Sequence, residues 1–284
     1  MYCLRHSSCS SVNYKIGGDA KGRCELNRKT TKTRNEKAHN PEYIYLEKVR
    51  TGHEVMPSEA KHIYPPSCKE LLHKNTSLPN GVYTLQQNIS SSPYKVYCHM
   101  KYIPGCGGAG WTLVMKLDGK METFKYSSSF WTNNETYAIQ DGLEGLTEKE
   151  SKLASYWNTP FTKICLGMSY NGDREWMSFD YTASSLYGAI ADGQFRATTA
   201  GRAAWKSLIA ESSLQLNCNE EGFNVLLRMR IGIFANNENE CYSCDSWLGF
   251  GTQVTGKTCG NFAVHSPDNG YKDLATFGYI LVQP

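Results

Sequence analysis

The sequence lacks any apolar stretch approaching the roughly 20 residues that a helix needs to cross a bilayer, so no membrane-spanning helix is expected. It also lacks a dominant charge. Against 30 Lys and Arg stand 27 Asp and Glu, a net +3 that is too balanced for a nucleic-acid surface. HExxH, GxSxG and P-loop motifs are missing, and the seven histidines (His6, His39, His53, His62, His73, His99 and His265) form no motif of a known chemistry. A non-enzymatic protein is therefore expected. Paired cysteine knuckles are missing too. Cys241-Tyr-Ser-Cys244 is a single CxxC with neither a second pair for zinc nor the βαβ setting of a redox motif. The opening MYCLRHSSC has no apolar h-region, so either the chain is cytosolic or its beginning is missing. There is no internal repeat and no low-complexity tract.

What the chain does have is cysteine, glycine and tyrosine. Its 11 Cys are spread along the sequence, a pattern that argues for disulfides and an oxidising compartment. Sequons at Asn75, Asn88 and Asn134 agree with secretion and mark expected glycosylation sites. Residues 1–50 carry 11 Lys and Arg against 5 Asp and Glu, a local +6 read as a solvated basic surface.

Three regions separate by composition: 1–47, basic with three cysteines; 48–66, a linker without apolar periodicity that ends in Pro65 and Pro66; and 67–284, rich in glycine and aromatics. Strands are expected over 81–86, 94–100, 111–117, 163–169, 175–181, 224–234 and 277–283. Helices are expected over 146–157, behind a Thr147/Glu150 capping box, and over 200–213. The class is α+β with long loops. The stretch GCGGAG, 105–110, fits G-x-G-x-x-G, but the strands KVYCHM and WTLVMKL flank it and no helix follows to face a pyrophosphate. Its glycines are expected to serve a turn and close packing.

Cys68, Gly81, Cys98, Met100, Gly110, Trp111 and Thr112, in that order over 45 residues, resemble the opening of a fibrinogen-like domain. WLGFGTQVTGKTCGNFAVHS and FGYILVQ resemble the intelectin branch, the X-type lectins. The segment from TFKYSSSFW to KICLGM is similar to fibrinogen-like proteins of the coral skeletal organic matrix. Residues 1–47 resemble the second half of a PAN or apple domain. The resemblance implies twisted antiparallel sheets with few helices, stapled by disulfides, behind a partial PAN/apple module. It implies a Cys68–Cys98 bond, worth roughly 3 to 4 kcal/mol of chain entropy, and a Cys3–Cys9 bond. A partner for Cys24 would fall before Met1, which implies a truncated chain whose signal peptide is missing. For the last cysteines it leaves two alternatives: Cys244 with Cys259, or Cys218 with Cys244 and Cys259 with an earlier cysteine.

The resemblance implies a secreted recognition protein, either a lectin assisted by calcium or a structural, adhesive matrix protein without a sugar site. Its partners would be glycans or extracellular-matrix proteins, and a homo-oligomer is allowed. Asn237 and Glu238 match half of the intelectin calcium set, and Asn261 stands where that family has an Asp. His265, Asp268, Asn269 and Tyr271 are the candidates to line a shallow pocket for a sugar.

Overall fold

The computed structural model describes residues 64–284 together with three strands nearer the N-terminus. Two compact units divide the chain, Met1–Ala60 and Lys61–Pro284. In the first, β1 (Ser11–Lys15) pairs antiparallel with β2 (Cys24–Asn27) on one side and β3 (Tyr43–Glu47) on the other. Cys3 and Cys9, expected in a disulfide, lie outside the described residues.

The second unit starts inside the stretch 48–66 read as a linker. Pro65 is buried, its carbonyl accepting a 3.0 Å hydrogen bond from the Gln86 amide. Ser67 then caps α1 (Cys68–Lys74) by accepting from the Glu70 amide at 3.1 Å. The strands that follow are β4 (Gly81–Leu85), β5 (Tyr94–His99), β6 (Trp111–Asp118), β7 (Ser151–Lys152), β8 (Phe161–Tyr170) and β9 (Asp173–Ala183). Next come β10 (Arg196–Ala197), β11 (Asn217–Val225), β12 (Met229–Asn236), β13 (Ser246–Thr252), β14 (Cys259–Ala263), β15 (Lys272–Ala275) and β16 (Phe277–Gln283). One sheet has the order β4-β5-β6-β16-β8-β9, with β7 beside β6. The other is a six-stranded meander, β10 to β15 in chain order. Every strand pair in both sheets is antiparallel.

The largest apolar core joins the two sheets: Val114, Ile164, Leu166 and Ile280 from one, Ile231, Ile233, Leu248 and Phe250 from the other, with Trp131 and Trp205 in the same cluster. A second core forms on the opposite face of the first sheet around Trp111, Leu113, Tyr279 and Leu281. β6 and β16 are buried at nearly every position because both of their faces are covered.

Three sequence readings need correction. Residues 146–157 hold β7 and the four-residue α3 (Ser155–Asn158), not a helix throughout. The supposed capping pair is used elsewhere: Thr147 accepts from the Lys116 ammonium, and Glu150 Oε1 accepts from the Asp118 amide at 3.0 Å. Residues 200–213 contain a single short helix, which we call α5 (Arg202–Lys206), α2 (Ile139–Leu143) and α4 (Leu186–Ile190) lying earlier in the chain. The expected strand 224–234 is a hairpin of β11 and β12, turned by Leu226 and Leu227 at φ of 51° and 54°. Two leucines in the left-handed region carry no turn signal in sequence.

The glycine loop 105–110 does connect two strands, β5 and β6, and lies against the β8–β9 hairpin. Cys106 bonds to Cys165 of β8, and the Ser178 hydroxyl donates to the Cys106 carbonyl at 3.3 Å. A Cβ on Gly105 would stand 2.0 Å from the Trp176 carbonyl oxygen, and one on Gly110 would stand 2.9 Å from Lys69 Cα.

Two lysines of the β6–β7 pair are fully buried. Met115 is registered with Lys152 and Lys116 with Ser151, so the lysines point to opposite faces. Lys116 Nζ donates to the carbonyls of Asp141, Gly145 and Thr147 at 2.7, 2.9 and 3.0 Å and to the Thr147 hydroxyl at 3.0 Å. Lys152 Nζ donates to the carbonyls of Phe130 and Asn133 and sits 4.4 Å from the Tyr156 ring centroid, a cation–π contact. Each lysine therefore pins a different part of the long 119–150 excursion.

Disulfides join Cys68 to Cys98, as the family resemblance implies, as well as Cys106 to Cys165 and Cys218 to Cys241. Cys244 and Cys259, both expected in disulfides, carry free thiols. The register explains why they do not meet. Cys259 lies opposite Phe250 at one end of the β13–β14 pair, while Ser246, two residues after Cys244, lies opposite Ala263 at the other. Cys259 is fully buried, and that burial pushes its thiol up to about 12.

Candidate functional site

Antiparallel register gathers three connections at one end of the six-stranded sheet. Asn217 pairs with Asn236, Ala235 with Ser246, Ser246 with Ala263, and Ala263 with Lys272. The segment before β11, the β12–β13 loop and the β14–β15 loop therefore share that end. All six sequence-predicted ligand residues lie there: Asn237 and Glu238 on the β12–β13 loop, His265, Asp268, Asn269 and Tyr271 on the β14–β15 loop.

Gln215, fully buried, links the two loops. Its Nε2 donates to the His265 carbonyl at 3.1 Å and lies 3.4 Å from Asn237 Oδ1. Asn261, also fully buried, braces the same segment: Oδ1 accepts from the Ser213 amide at 2.8 Å, and Nδ2 donates to the Ser213 and Trp247 carbonyls. The amide serves here where a carboxylate would not, because two of its three partners are acceptors. Backbone strain collects at this end too. Glu211, Cys218, Asn219, His265 and Ser266 are five of the eleven non-glycine residues with positive φ among the described residues. Cys218 and Asn219 form a bulge, since three steps of β11 from Asn217 to Glu220 face two steps of β12.

Asp268 is engaged by two cations and a backbone amide. Its Oδ2 accepts from Arg202 at 2.8 Å and from Lys206, while Oδ1 accepts from the Leu214 amide at 3.0 Å. Partial burial alone would raise this carboxyl, but the hydrogen bonds from Lys206, Arg202 and Leu214 outweigh it and hold it down to about 2. Asp268 thus stabilises the fold above pH 4, and that contribution is lost as pH falls from about 4 to about 2. Asp268→Asn is expected to cost about 1–2 kcal/mol at pH 7, allowing for the solvent that reaches this pair. The difference from the parent protein should shrink to about a third in urea melts at pH 2.5. A difference independent of pH would contradict this role.

The oxygens that would bind a calcium ion are taken in the same way. Asn237 Oδ1 faces the Gln215 amide group, and its carbonyl accepts from Asn217 Nδ2 at 2.6 Å. Calcium needs six to eight oxygens, and of the predicted set only the Glu238 carboxylate is left exposed and uncommitted. Asn237 and Glu238 alone fall short of that number.

Asn269 donates through Nδ2 to the Glu211 carbonyl at 2.7 Å and lines a groove of about 360 Å³ with Glu175, Lys206, Ile209 and Glu211. His265, Asp268 and Tyr271 do not line that groove. What faces solvent at this end is aromatic and amide. Tyr271 is 66% exposed, its ring edge-on to Phe262, and Tyr242 at the tip of the β12–β13 loop is 87% exposed. Sequence reading missed Tyr242, Gln215 and Arg202. Tyr242 had a signal, an aromatic between two cysteines in a polar turn, whereas Gln215 and Arg202 matter through contacts distant in sequence.

No protein-family profile matches this chain, and no curated protein matches it. Among solved structures, the chain is similar to the fibrinogen-like globe domain of human ANGPTL2, with a TM-score of 0.35 and 12% sequence identity over 78% of this chain and 99% of that one.

Proposed function

We propose that residues 67–284 form a fibrinogen-like domain of a secreted protein that acts by non-covalent recognition rather than catalysis. We further propose that the loop end of the six-stranded sheet binds glycans without calcium. The observation that carries this reading is the pair of exposed tyrosines, Tyr242 and Tyr271, on two neighbouring loops held rigidly from below by Gln215, Asn261 and Asp268. Tyrosine offers a sugar an apolar face and a polar tip, and Asn239 and Glu238 beside it are exposed hydrogen-bonding groups. Three disulfides within 67–284 support an oxidising compartment, and Asn75, Asn88 and Asn134 are all exposed, as glycan acceptors must be.

A glycan array probed first with calcium and then with chelator tests the reading. Binding is expected to survive chelation and to fall at least about tenfold in a Tyr242→Ala, Tyr271→Ala double variant, the loss of two stacked rings. Binding abolished by chelation would restore the calcium-dependent lectin. A blank array would favour the second reading, adhesion to matrix proteins, which the engagement of the Asn237 and Asp268 oxygens also supports.

A further inference from the structure

The bulge at Cys218 and Asn219 brings a third sulfur to the Cys218–Cys241 disulfide. The Cys244 thiol lies 3.6 Å from Cys218 Sγ, and the sulfurs of Cys218, Cys241 and Cys244 all lie within 4.8 Å of one another. From this cluster we infer that the disulfide exchanges internally, so that Cys241 and Cys244 alternate as the partner of Cys218.

The chemistry balances without any added oxidant or reductant. The Cys244 thiolate attacks Cys218 Sγ, the Cys218–Cys244 bond forms as the Cys218–Cys241 bond breaks, and Cys241 leaves as a thiolate that takes up the proton Cys244 lost. Three sulfurs so close together make the present contact side-on, and swinging the Cys244 side chain supplies the in-line approach. Cys241 and Cys244 are both half-buried, on a turn whose tip residues Tyr242 and Ser243 are exposed. The result of exchange is a change of tether. The bond to β11 moves three residues along the β12–β13 loop, and the spare thiol moves from beside β13 to beside Tyr242. This holds whether or not the loop end binds glycans.

The rate is set by the thiolate. Burial, with Glu220, Glu240 and Asp245 nearby and Arg228 opposing them, pushes the Cys244 thiol up to about 12. Exchange is therefore slow at neutral pH and should speed up about tenfold for each unit by which pH rises toward that value.

Non-reducing peptide mapping of the full chain decides the matter, because chymotrypsin cuts after Tyr242 and so separates Cys241 from Cys244. Protein held at pH 5 or pH 9 is labelled with N-ethylmaleimide in denaturant at pH 6, which blocks further exchange, and then digested. At pH 5, among the cysteines of residues 64–284, the label is expected on Cys244 and Cys259, with the buried Cys259 as the internal measure of completeness. At pH 9 label should also build up on Cys241, together with a Cys218–Cys244 cross-linked peptide, and about tenfold more slowly at pH 8. A Cys241→Ser variant should form the Cys218–Cys244 bond outright. Among the cysteines of residues 64–284, label confined to Cys244 and Cys259 at every pH overturns the inference. So does label on Cys218, Cys241 and Cys244 together, which would mean simple reduction.

Discussion

Replacing Lys116 with methionine is expected to lower stability at pH 7 by about 3 kcal/mol, a fall of roughly 6–10 °C in melting temperature for a chain of this size. Two effects oppose each other. Methionine keeps the stem that crosses the buried strand and removes the cost of holding an ammonium out of water, which favours the variant. Against this, the carbonyls of Asp141, Gly145 and Thr147 and the Thr147 hydroxyl all lose their donor at once. Each stranded acceptor costs about 1–3 kcal/mol where water cannot replace the lysine, so the loss of four partners outweighs the relief of one charge. The pH dependence gives an independent check. Burial pushes the Lys116 ammonium down from 10.5 to about 8, against the pull of the Asp141 and Glu144 carboxylates. Between those values the unfolded chain binds more protons at this position than the folded one, so the parent protein gains stability from Lys116 as pH rises from 8 to 10.5. The variant has no such gain, and the gap between the two should widen over that window in urea melts. A Lys116→Met protein that melts with the parent at every pH would show that the 141–147 loop does not depend on this contact.

Gly105→Ala should cost still more, beyond about 4 kcal/mol, and reduce the yield of folded protein sharply. The backbone at Gly105 has φ of 81°, where a Cβ costs about 1–2 kcal/mol by itself. The larger part comes from the Trp176 carbonyl oxygen 2.0 Å from that Cβ. Neither side can yield easily: the loop is held by the Cys106–Cys165 bond, and Trp176 sits in the β8–β9 ladder opposite Gly167. Gly107→Ala is the comparison. Its φ is 67°, but nothing lies within 4 Å of a Cβ there, so only the backbone cost of about 1 kcal/mol applies. Melting temperatures of the two variants separate close approach from turn geometry. Equal losses would mean that the loop does not lie on the hairpin in this way.

That contrast shows what the sequence could reveal and what it could not. The two strands around GCGGAG were legible from β-branched and aromatic residues, and they alone removed the nucleotide reading. Which glycine meets a carbonyl was not legible, because the carbonyl belongs to Trp176, some 70 positions away in the chain. The same limit hid both lysines. In WTLVMKLD a lysine reads as the solvent-facing member of an alternating strand, and only the carbonyls of a loop 25–31 residues later make its burial tolerable. At the candidate site the polar residue types were visible as ANNENEC and HSPDNGYKD, and the register does bring the two loops to one end. Their roles were not visible. Asp268 had the look of a ligand until Arg202 and Lys206, more than 60 residues earlier, claimed it. Local spacing misled in the other direction at 146–157, where a capping pair and helical periodicity lost to the pairing of β7 with β6.

The position of β16 sets a constraint on the order of events during synthesis. It comes last in chain order among the strands described, yet it lies between β6 and β8, with Ile280 and Val282 in the core between the sheets. As the polypeptide leaves the ribosome, residues 67–276 can complete the meander β10–β15 but leave the first sheet as two halves with unpaired inner edges. A β6–β7 half and a β8–β9 half would wait for 277–283 to arrive and close the gap like a key course in masonry. Until then the Cys106–Cys165 bond is the covalent tie across that gap, joining the loop ahead of β6 to β8. Early oxidation of that pair would keep the nascent halves in register, and a chain that stalls before Phe277 would present two sticky edges to the quality-control machinery.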